Sequence, residues 1–433
     1  MPVRNLLILL VAAMGVGLDC AAGLAQPGPD AARLTPEQFA ILPWGETPGT
    51  PEALQTVYDC GFNLAGFVKP EFLDLVSAAQ LKCIVIDKDQ HPCEPEFPMD
   101  EPAIRRHVEA LFQRVGGHKA VFGYYVFDEP CVQFYPELQL WVDSYRRVAP
   151  QAIAYINIFA NLATSRQMGV ATYAQYVESY VQTVRPSFLS YDHYALMADG
   201  SVRNGYFQNL EVIRTAALRY NLPFWNTVLA NAHYTYAAPT DAGLRFQLYT
   251  TLAYGARGIS YFTYFTPNIG NYRLGPIDQF GRKTPTWDML RNVNMQLHRI
   301  GPVFTKLRSI GAFHYPNAPE GCIGLDQSRW IDSLDGGNLM VGEFEGPEGE
   351  PFVLVVNPGL PVNRRYWEYV GYKGGAEPGV LAYALLLRNR AGHWFAFAIS
   401  WNHPREALET AQLHTLALRL LRYVEQTYPL SGK

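Results

Sequence analysis

The chain has 433 residues, of which 48% are hydrophobic, 17% charged and 13% aromatic, and its formal net charge is −4. A chain of this length and apolar content buries a sizeable core, which excludes global disorder. A slightly acidic protein without a basic patch does not suit a phosphate backbone, so we expect no nucleic-acid partner. The high aromatic content fits an aromatic-rich core or faces on which flat ligands stack.

The first 25 residues have the layout of a secretory signal peptide. Arg4 precedes an apolar stretch over residues 6–18, and small residues lead to Ala25. The stretch is short for a bilayer span, and no other segment is long and apolar enough to cross a membrane. We therefore expect an exported protein, secreted or periplasmic, with no membrane span.

A repeated unit of a short apolar strand, a polar loop and an amphipathic helix runs from residue 40 to residue 267. The predicted strands cover residues 40–43, 63–68, 82–86, 121–127, 153–158, 188–191, 223–228 and 259–265. Eight such units predict an α/β fold, a closed (β/α)8 TIM barrel over residues 36–302. An open doubly wound sheet is the alternative, but it requires a Gly-rich loop after the first strand, which is not found there.

The pattern changes after residue 302, where two apolar segments at 338–345 and 351–357 are separated by a turn rich in Gly, Pro and Glu. Such segments are typical of paired strands. We predict a small β-rich C-terminal domain over residues 303–433, with a helix near the end of the chain.

Chemistry in parallel barrels is built at the carboxyl ends of the strands. In this sequence those ends are polar and aromatic. From the first strand to the eighth they carry Trp44, Glu46, Asp87, Asp89, His91, Asp128, Glu129, Asn157, Tyr191, Asp192, His193, Tyr194, Trp225, Asn226, Asn231, Tyr261 and Tyr264.

The fourth strand ends in two adjacent carboxylates, Asp128 and Glu129, followed by Pro130. Like charges this close raise the pKa of one group, which is what a general acid near neutral pH requires. Asp192 follows two strands later and is expected to face the same pocket. Two carboxylates across a pocket are the minimum for cleaving a glycosidic bond, with one as acid and the other as nucleophile, base or stabiliser.

Other strand-end residues suit the binding of a sugar, through stacking on aromatic faces or hydrogen bonds to hydroxyls. The candidate substrate-binding residues are Trp44, Glu46, Asp87, Asp89, Asn157, Tyr191, His193, Trp225, Asn226, Tyr261 and Tyr264. The residues from Asp87 to His91 include metal-binding types but match no metal motif. We expect neither a metal nor a cofactor.

Several motifs carry a family resemblance. Residues 123–130 (GYYVFDEP), 190–194 (SYDHY) and 249–264 (YTTLAYGARGISYFTY) resemble secreted bacterial (β/α)8 glycoside hydrolases of the β-galactosidase-like, clan A-like type. Residues 281–287 (GRKTPTW) are similar to the start of their last barrel helix. The resemblance implies a glycosidase active in carbohydrate metabolism and polysaccharide degradation, with Glu129 as the acid.

The sequence departs from this pattern at two positions. Clan A enzymes place Asn before the acid and a nucleophilic Glu after the seventh strand, whereas this chain has Asp128 and no acid in residues 224–230. An Asp–Glu pair also resembles substrate-assisted hexosaminidases, and Tyr191–Asp192 is similar to a chitinase motif. A substrate-assisted enzyme and a non-catalytic carbohydrate-binding barrel are therefore alternatives, and a polysaccharide lyase with a Tyr or His base is a third.

The predicted mature chain keeps five of the six cysteines, so at least one thiol stays free. Cys93 and Cys131 fall on loops at the same barrel face. We expect these two cysteines to form a disulfide beside Glu129.

Overall fold

The structure is a computed structural model that describes residues 7–10, 39–87, 100–334, 338–357, 367–377, 380–402, 420–421, 423–425 and 427. The chain divides into two compact units. Of the described residues, those from 7 to 10 and from 39 to 356 belong to the first unit, and those from 357 onward belong to the second. The first unit holds the barrel.

Eight short strands form the barrel of the first unit. They are β1 Ala40–Pro43, β2 Leu64–Val68, β3 Lys82–Val85, β4 Val121–Asp128, β5 Ile153–Asn157, β6 Leu189–Asp192, β7 Phe224–Leu229 and β8 Gly258–Phe262. The ladders between neighbours are parallel. Parallel bridges from Glu46 to Phe67 and from Ile158 to Tyr191 close the ring. The predicted (β/α)8 barrel is confirmed.

Helices cover the outside of the ring. They are α1 Pro51–Asp59, α2 Leu73–Ala78, α3 Glu101–Val115, α4 Tyr135–Val148, α5 Ser165–Met168, α6 Tyr173–Val184, α7 Tyr206–Arg219, α8 Asp241–Ala253 and α9 Pro285–Phe304. Side chains of Thr50, Asp100 and Thr240 cap three of them by accepting from backbone N–H groups of the first turn. Apolar residues spaced three or four apart in α3 face the sheet, as the sequence predicts.

Side chains on each barrel strand divide between two cores. One set fills the barrel interior and includes Ala40, Leu42, Leu64, Ile84, Ile86, Tyr155, Phe188 and Trp225. The other set packs between the strands and the helices. Because strand residues alternate between the faces, this division decides which polar side chains reach the mouth of the barrel.

A second sheet follows α9 within the same compact unit. Its strands are β9 Arg308–Tyr315, β10 Ile323–Gly324, β11 Leu339–Glu345 and β12 Pro351–Val356, and the short strand Leu7–Leu10 pairs in parallel with β12. The Tyr254 hydroxyl lies 2.8 Å from Nε2 of His314 and joins this sheet to the barrel. A Cβ on Gly342 would lie 2.5 Å from the carbonyl oxygen of Ala253, so only glycine allows this approach.

The compact division at residue 356 differs from the sequence boundary at residue 302, because β9–β12 pack against the barrel. The second unit contains an antiparallel sheet of β13 Trp367–Glu377, β14 Val380–Asn389 and β15 Trp394–Asn402. The β-rich C-terminal region is thus present. Of the predicted terminal helix, residues 420–421, 423–425 and 427 are helical and the others lie outside the described residues.

Export remains a prediction, since residues 1–6 and 11–25 of the predicted signal peptide lie outside the described residues. In the part of the chain that the structure describes, no helix has the length and apolar character of a membrane span.

Candidate active site

The carboxylate pair lies at the carboxyl end of β4, as predicted. The Glu129 N–H donates to the carbonyl oxygen of Asn157 at 2.7 Å, which ties the end of β4 to β5. Glu129 itself has a φ of 51° and an exposed side chain. A non-glycine residue in this left-handed region carries strain, and such strain concentrates at functional sites. The fold therefore holds the Glu129 side chain at the barrel mouth at a conformational cost.

Asn157 joins the two aspartates. Its Nδ2 donates to Oδ1 of Asp192 at 2.8 Å and to Oδ1 of Asp128 at 3.2 Å. One amide nitrogen thus brings carboxylates from β4 and β6 to the same point. Asn157 was predicted to bind substrate hydroxyls, and in the structure its amide nitrogen is instead bonded to the two aspartates.

A polar layer below Asn157 fixes the orientation of its amide. The Ser190 hydroxyl donates to Oδ1 of Asn157 at 2.9 Å, and the Tyr155 hydroxyl lies 3.1 Å from Oγ of Ser190. With Oδ1 committed as an acceptor, Nδ2 must point towards the aspartates. Ser190 was not among the predicted site residues, although it lies two residues before Asp192 and so shares its strand face.

The environment raises the pKa of all three carboxyl groups. Burial raises the pKa of Asp128 to about 6, against the opposing effect of the hydrogen bond from Asn157. The surrounding protein removes water from the Glu129 carboxyl, although the residue is exposed at the mouth. This desolvation and then the charge of Asp128 raise its pKa to about 7.

Burial raises the pKa of Asp192 well above its ordinary value, and the charges of Glu129 and Asp128 add to this increase. Glu129 and Asp192 both contact Asn157, the first through its backbone N–H and the second through its carboxylate, so the two residues are neighbours at the carboxyl ends of β4 and β6. Three carboxyl groups whose negative charges repel one another do not all ionise at neutral pH. The site consequently retains a proton under conditions where free carboxyl groups have lost theirs.

Aromatic rings form a connected cluster at the carboxyl ends of β1, β6 and β8. Trp44 contacts Phe67 and Phe262 with ring centroids 5.1 and 5.4 Å apart, and Phe262 stacks on Tyr194 at 5.4 Å. The charges of Asp192, Asp128 and Glu129 reach the Tyr194 hydroxyl and, after burial, help to raise its pKa. Tyr194 and Phe262 were not among the predicted substrate-binding residues. The alternation along β6 and its continuation places Tyr194 on the face of Asp192, and this signal was available in the sequence.

Four predicted substrate-binding residues point away from the mouth. Tyr191, His193, Asn226 and Tyr261 are all buried between the strands and the helices. Nδ1 of His193 lies 3.2 Å from Oδ1 of Asn209, and Asn226 donates to Oγ1 of Thr251 at 2.8 Å, so both serve the wall of the barrel. The prediction that these four residues bind substrate is wrong, because each of them lies on the strand face opposite to the residues that line the barrel interior.

Two further candidates are also committed to the wall. Asp87 is buried and pairs with Arg114 of α3 at 2.8 Å. The Tyr264 hydroxyl donates to the carbonyl oxygen of Thr56 at 2.7 Å and accepts from Nε1 of Trp287 at 2.8 Å. Neither side chain is placed to bind a substrate in the mouth.

Trp225 faces the barrel interior but lies near the amino ends of the strands, where it packs against Phe188 and Phe122 at centroid distances of 4.9 and 6.1 Å. It therefore fills the floor of the barrel. We expect Trp225→Ala to lower the free energy of unfolding by about 3–5 kcal/mol, measured by urea denaturation. A sugar-stacking role would instead weaken ligand affinity and leave the denaturation midpoint unchanged.

The other predicted residues lie on the loops after the first, third and fourth barrel strands. Glu46 is exposed in the loop after β1, and its backbone pairs with Phe67. Asp89, His91 and Cys93 lie outside the described residues. Cys131 holds a free thiol, so the expected disulfide with Cys93 is not part of the structure. Among the described residues, no group of three or more His, Cys, Asp and Glu side chains is arranged to hold a metal.

No protein-family model matches the sequence, and a search of curated proteins finds no relative. Among solved structures, the chain is similar to the β-galactosidase from the psychrophilic Marinomonas ef1, at 13% identity and a TM-score of 0.47, over 63% of this chain and 62% of that one. A β-galactosidase from the haloarchaeon Halorubrum lacusprofundi gives 12% identity and a TM-score of 0.44, over 62% and 58% of the two chains.

An endoglucanase from Pseudomonas stutzeri, solved with cellobiose, gives 14% identity and a TM-score of 0.40, over 60% of this chain and 92% of that one. The chain spans less than two thirds of the two β-galactosidases.

Proposed function

We propose that this protein is a glycoside hydrolase whose general acid is Glu129 and whose second carboxylate is Asp192. The observation that carries the proposal is the convergence of three carboxylate residues on Asn157, which contacts Asp128, Asp192 and the backbone N–H of Glu129. Burial and the charge of Asp128 raise the pKa of Glu129 there to about 7. A carboxylic acid that is protonated near neutral pH is able to donate to a poor leaving group.

The proposed reaction uses both groups. Glu129 donates its proton to the bridging oxygen while the bond from that oxygen to the anomeric carbon breaks. The reactive protonation state is the one in which Glu129 holds the proton and Asp192 is ionised. Asp192 then either attacks the anomeric carbon or takes a proton from the attacking water. A water molecule supplies the hydroxyl of the released sugar, and the proton returns to the carboxylate pair.

The other members of the cluster position these groups. Asn157 holds Asp192 and Asp128 by one amide nitrogen, which keeps Asp192 in place while its charge changes. Asp128 adds a negative charge that keeps the proton on Glu129. Trp44, Tyr194 and Phe262 provide apolar faces on which a sugar ring rests.

The substrate class follows from the same residues. Aromatic faces beside paired carboxylates suit an oligosaccharide or polysaccharide, and we propose carbohydrate as the partner. The predicted signal peptide supports a secreted or periplasmic location, where polysaccharides are accessible. Detection of the N terminus near residue 26 in the exported protein would test this location.

A carbohydrate-binding barrel without catalysis is the second candidate. It is favoured by one observation, the lack of an acidic residue along β7 Phe224–Leu229. Calorimetry and product analysis on one glycan panel separate the two proposals. Reducing ends released by the protein support the hydrolase, whereas binding without release supports the alternative.

The pH dependence of hydrolysis provides a further prediction. Glu129 must be protonated, so activity falls as the pH rises through about 7. Asp128→Asn removes a negative charge that raises the pKa of both Glu129 and Asp192. Without that charge each carboxylate ionises more readily, so both limbs of the profile of kcat/KM against pH should move to lower pH by roughly 1 unit.

The control for this experiment is Glu109→Gln, which removes an exposed carboxylate on α3. Its profile should superimpose on that of the unmodified protein. Limbs that stay in place in Asp128→Asn, or that move to higher pH, would contradict the assigned roles.

A further inference from the structure

An aromatic side chain lies exposed on the loop that follows β7. Tyr234 has 67% of its surface accessible to solvent, and its φ is 45°. A bulky residue in the left-handed region is unfavourable by itself, and exposure of the ring adds no compensating burial. The sequence thus keeps a large ring on the surface in a strained conformation.

Contacts with the loop after β8 hold Tyr234 in place. Its backbone N–H donates to Oδ1 of Asn271 at 2.8 Å, and Nδ2 of Asn271 donates to the carbonyl oxygen of Tyr234 at 3.5 Å. Two backbone bonds join Ala232 and Arg273, at 2.8 and 2.9 Å. The position of the exposed ring is therefore fixed by the fold.

A continuous row of rings runs from Tyr234 to the carboxylates. Tyr234 contacts Tyr272 at a centroid distance of 6.2 Å, and Tyr272 stacks on His233 at 4.5 Å with 5° between the planes. His233 contacts Tyr194 at 6.0 Å. Tyr194 lies two residues beyond Asp192, the last residue of β6, and so continues the strand face of that carboxylate. We call Tyr194, His233, Tyr272 and Tyr234 the aromatic row.

We propose that Tyr234 and Tyr272, at the outer end of the aromatic row, form a distal subsite for a sugar unit remote from the cleaved bond. This inference rests on the proposed function and specifies its substrate as a glycan chain of several units. Buried His233 packs beneath Tyr272 and links it to Tyr194, so the exposed part of the row is its outer end at Tyr272 and Tyr234. A chain bound at the carboxylates reaches this outer end only if it has several units. Rigid aromatic faces bind such a chain with little loss of side-chain freedom.

The occupant is a glycan because the row is continuous with the carboxylate site. Polar side chains lie on the same surface, since Asn271 and Arg273 are exposed and Asn271 contacts the backbone of Tyr234. The site is thus apolar on one face and offers hydrogen bonds at its edges, as small-ligand sites do.

The experiment measures affinity against chain length. Calorimetry on Glu129→Gln, which binds without turnover, uses cello-, xylo- and β-1,4-galacto-oligosaccharides from two to six units. We expect the affinity for one series to increase with length. Addition of Tyr234→Ala should reduce the hexasaccharide affinity by about 2- to 10-fold, whereas Tyr234→Phe keeps the ring and should retain it.

Phe280→Ala is the matched control. Phe280 is 77% exposed on the same loop as Tyr272, and its ring faces the Arg282 guanidinium at 5.0 Å. No ring contact joins it to the aromatic row among the described residues. Its removal should leave the hexasaccharide affinity unchanged, and unfolding midpoints of all variants show whether the fold is retained.

Equal affinity for di- and hexasaccharides, or no loss in Tyr234→Ala, overturns the subsite, as does the absence of binding by every series. The proposed function fails separately. If the unmodified protein and the Glu129→Gln variant cleave a bound glycan at equal rates, Glu129 is not the acid. A loss confined to Tyr234→Ala on long chains would still support the distal subsite in that case.

Discussion

Glu129→Gln is expected to reduce kcat/KM on a hydrolysed glycan by about 10²- to 10⁴-fold, the contribution typical of a positioned general acid. Glutamine keeps the shape of the side chain but has no proton to give to the bridging oxygen. The affinity for the glycan should change little, since the walls that contact a sugar remain. Initial rates of reducing-end release measure the first quantity, and calorimetry measures the second.

The leaving group provides the sharper measurement. A 2,4-dinitrophenyl glycoside departs without protonation, so the same variant should cleave it nearly as fast as the unmodified protein does. Glu109→Gln, on the exposed face of α3, controls for the loss of a carboxylate elsewhere. Equal defects on the activated and the natural substrate would show that Glu129 acts in another way.

The sequence predicted the barrel because hydrophobic periodicity survives in each unit. Parallel strands buried on both faces are continuous apolar runs, and the helices between them show apolar residues three or four apart. All eight predicted strands overlap those of the structure. Asp128, Glu129, Asn157 and Asp192 were found by the same argument, since each ends a strand at the carboxyl face.

The orientation of individual side chains was predicted less well. On β6, simple alternation already separates Ser190 and Asp192 from Tyr191 and His193, and applying it would have excluded the last two. On β4 alternation fails, because register shifts occur near Gly123 and between Tyr125 and Phe127. Extra residues of this kind turn the strand, and no local sequence pattern marks them.

The boundary after the barrel depends on long-range packing. Residues 303–356 form strands, as expected, but they pack on α8 through contacts such as that of Gly342 with Ala253. Strand patterns specify which residues are buried, and they do not specify the partner that buries them. For this reason the compact unit extends beyond residue 302.

Asp192→Asn is expected to abolish most hydrolysis and to stabilise the fold at the same time. The amide is neither a base nor an anion, so kcat should decrease by about 10²- to 10⁴-fold. The same change removes a carboxylate whose folded-state pKa is raised well above its ordinary value by burial, Glu129 and Asp128. Activity and stability should therefore change in opposite directions, which is typical of functional sites.

The pH dependence of stability follows from the raised pKa. Below the ordinary pKa of an aspartate, the group is protonated in both the folded and the unfolded chain, and it contributes no difference. As the pH rises from about 4 towards the folded-state pKa, the unfolded chain releases the proton first and the fold loses stability. Asp192→Asn should thus raise the unfolding midpoint by about 2–4 °C at pH 8 and leave it nearly unchanged at pH 4.

Asp87→Asn is the matched contrast, because Asp87 is also a buried aspartate but forms an ion pair with Arg114 at 2.8 Å. Asp87→Asn removes this ion pair from the wall of the barrel, so the variant should have a free energy of unfolding that is lower by about 1–3 kcal/mol. The two aspartates are then distinguished by the sign of the effect in differential scanning calorimetry. If Asp192→Asn unfolds at a lower temperature and still cleaves glycans, Asp192 is a structural residue and the carboxylate pair does not perform the reaction.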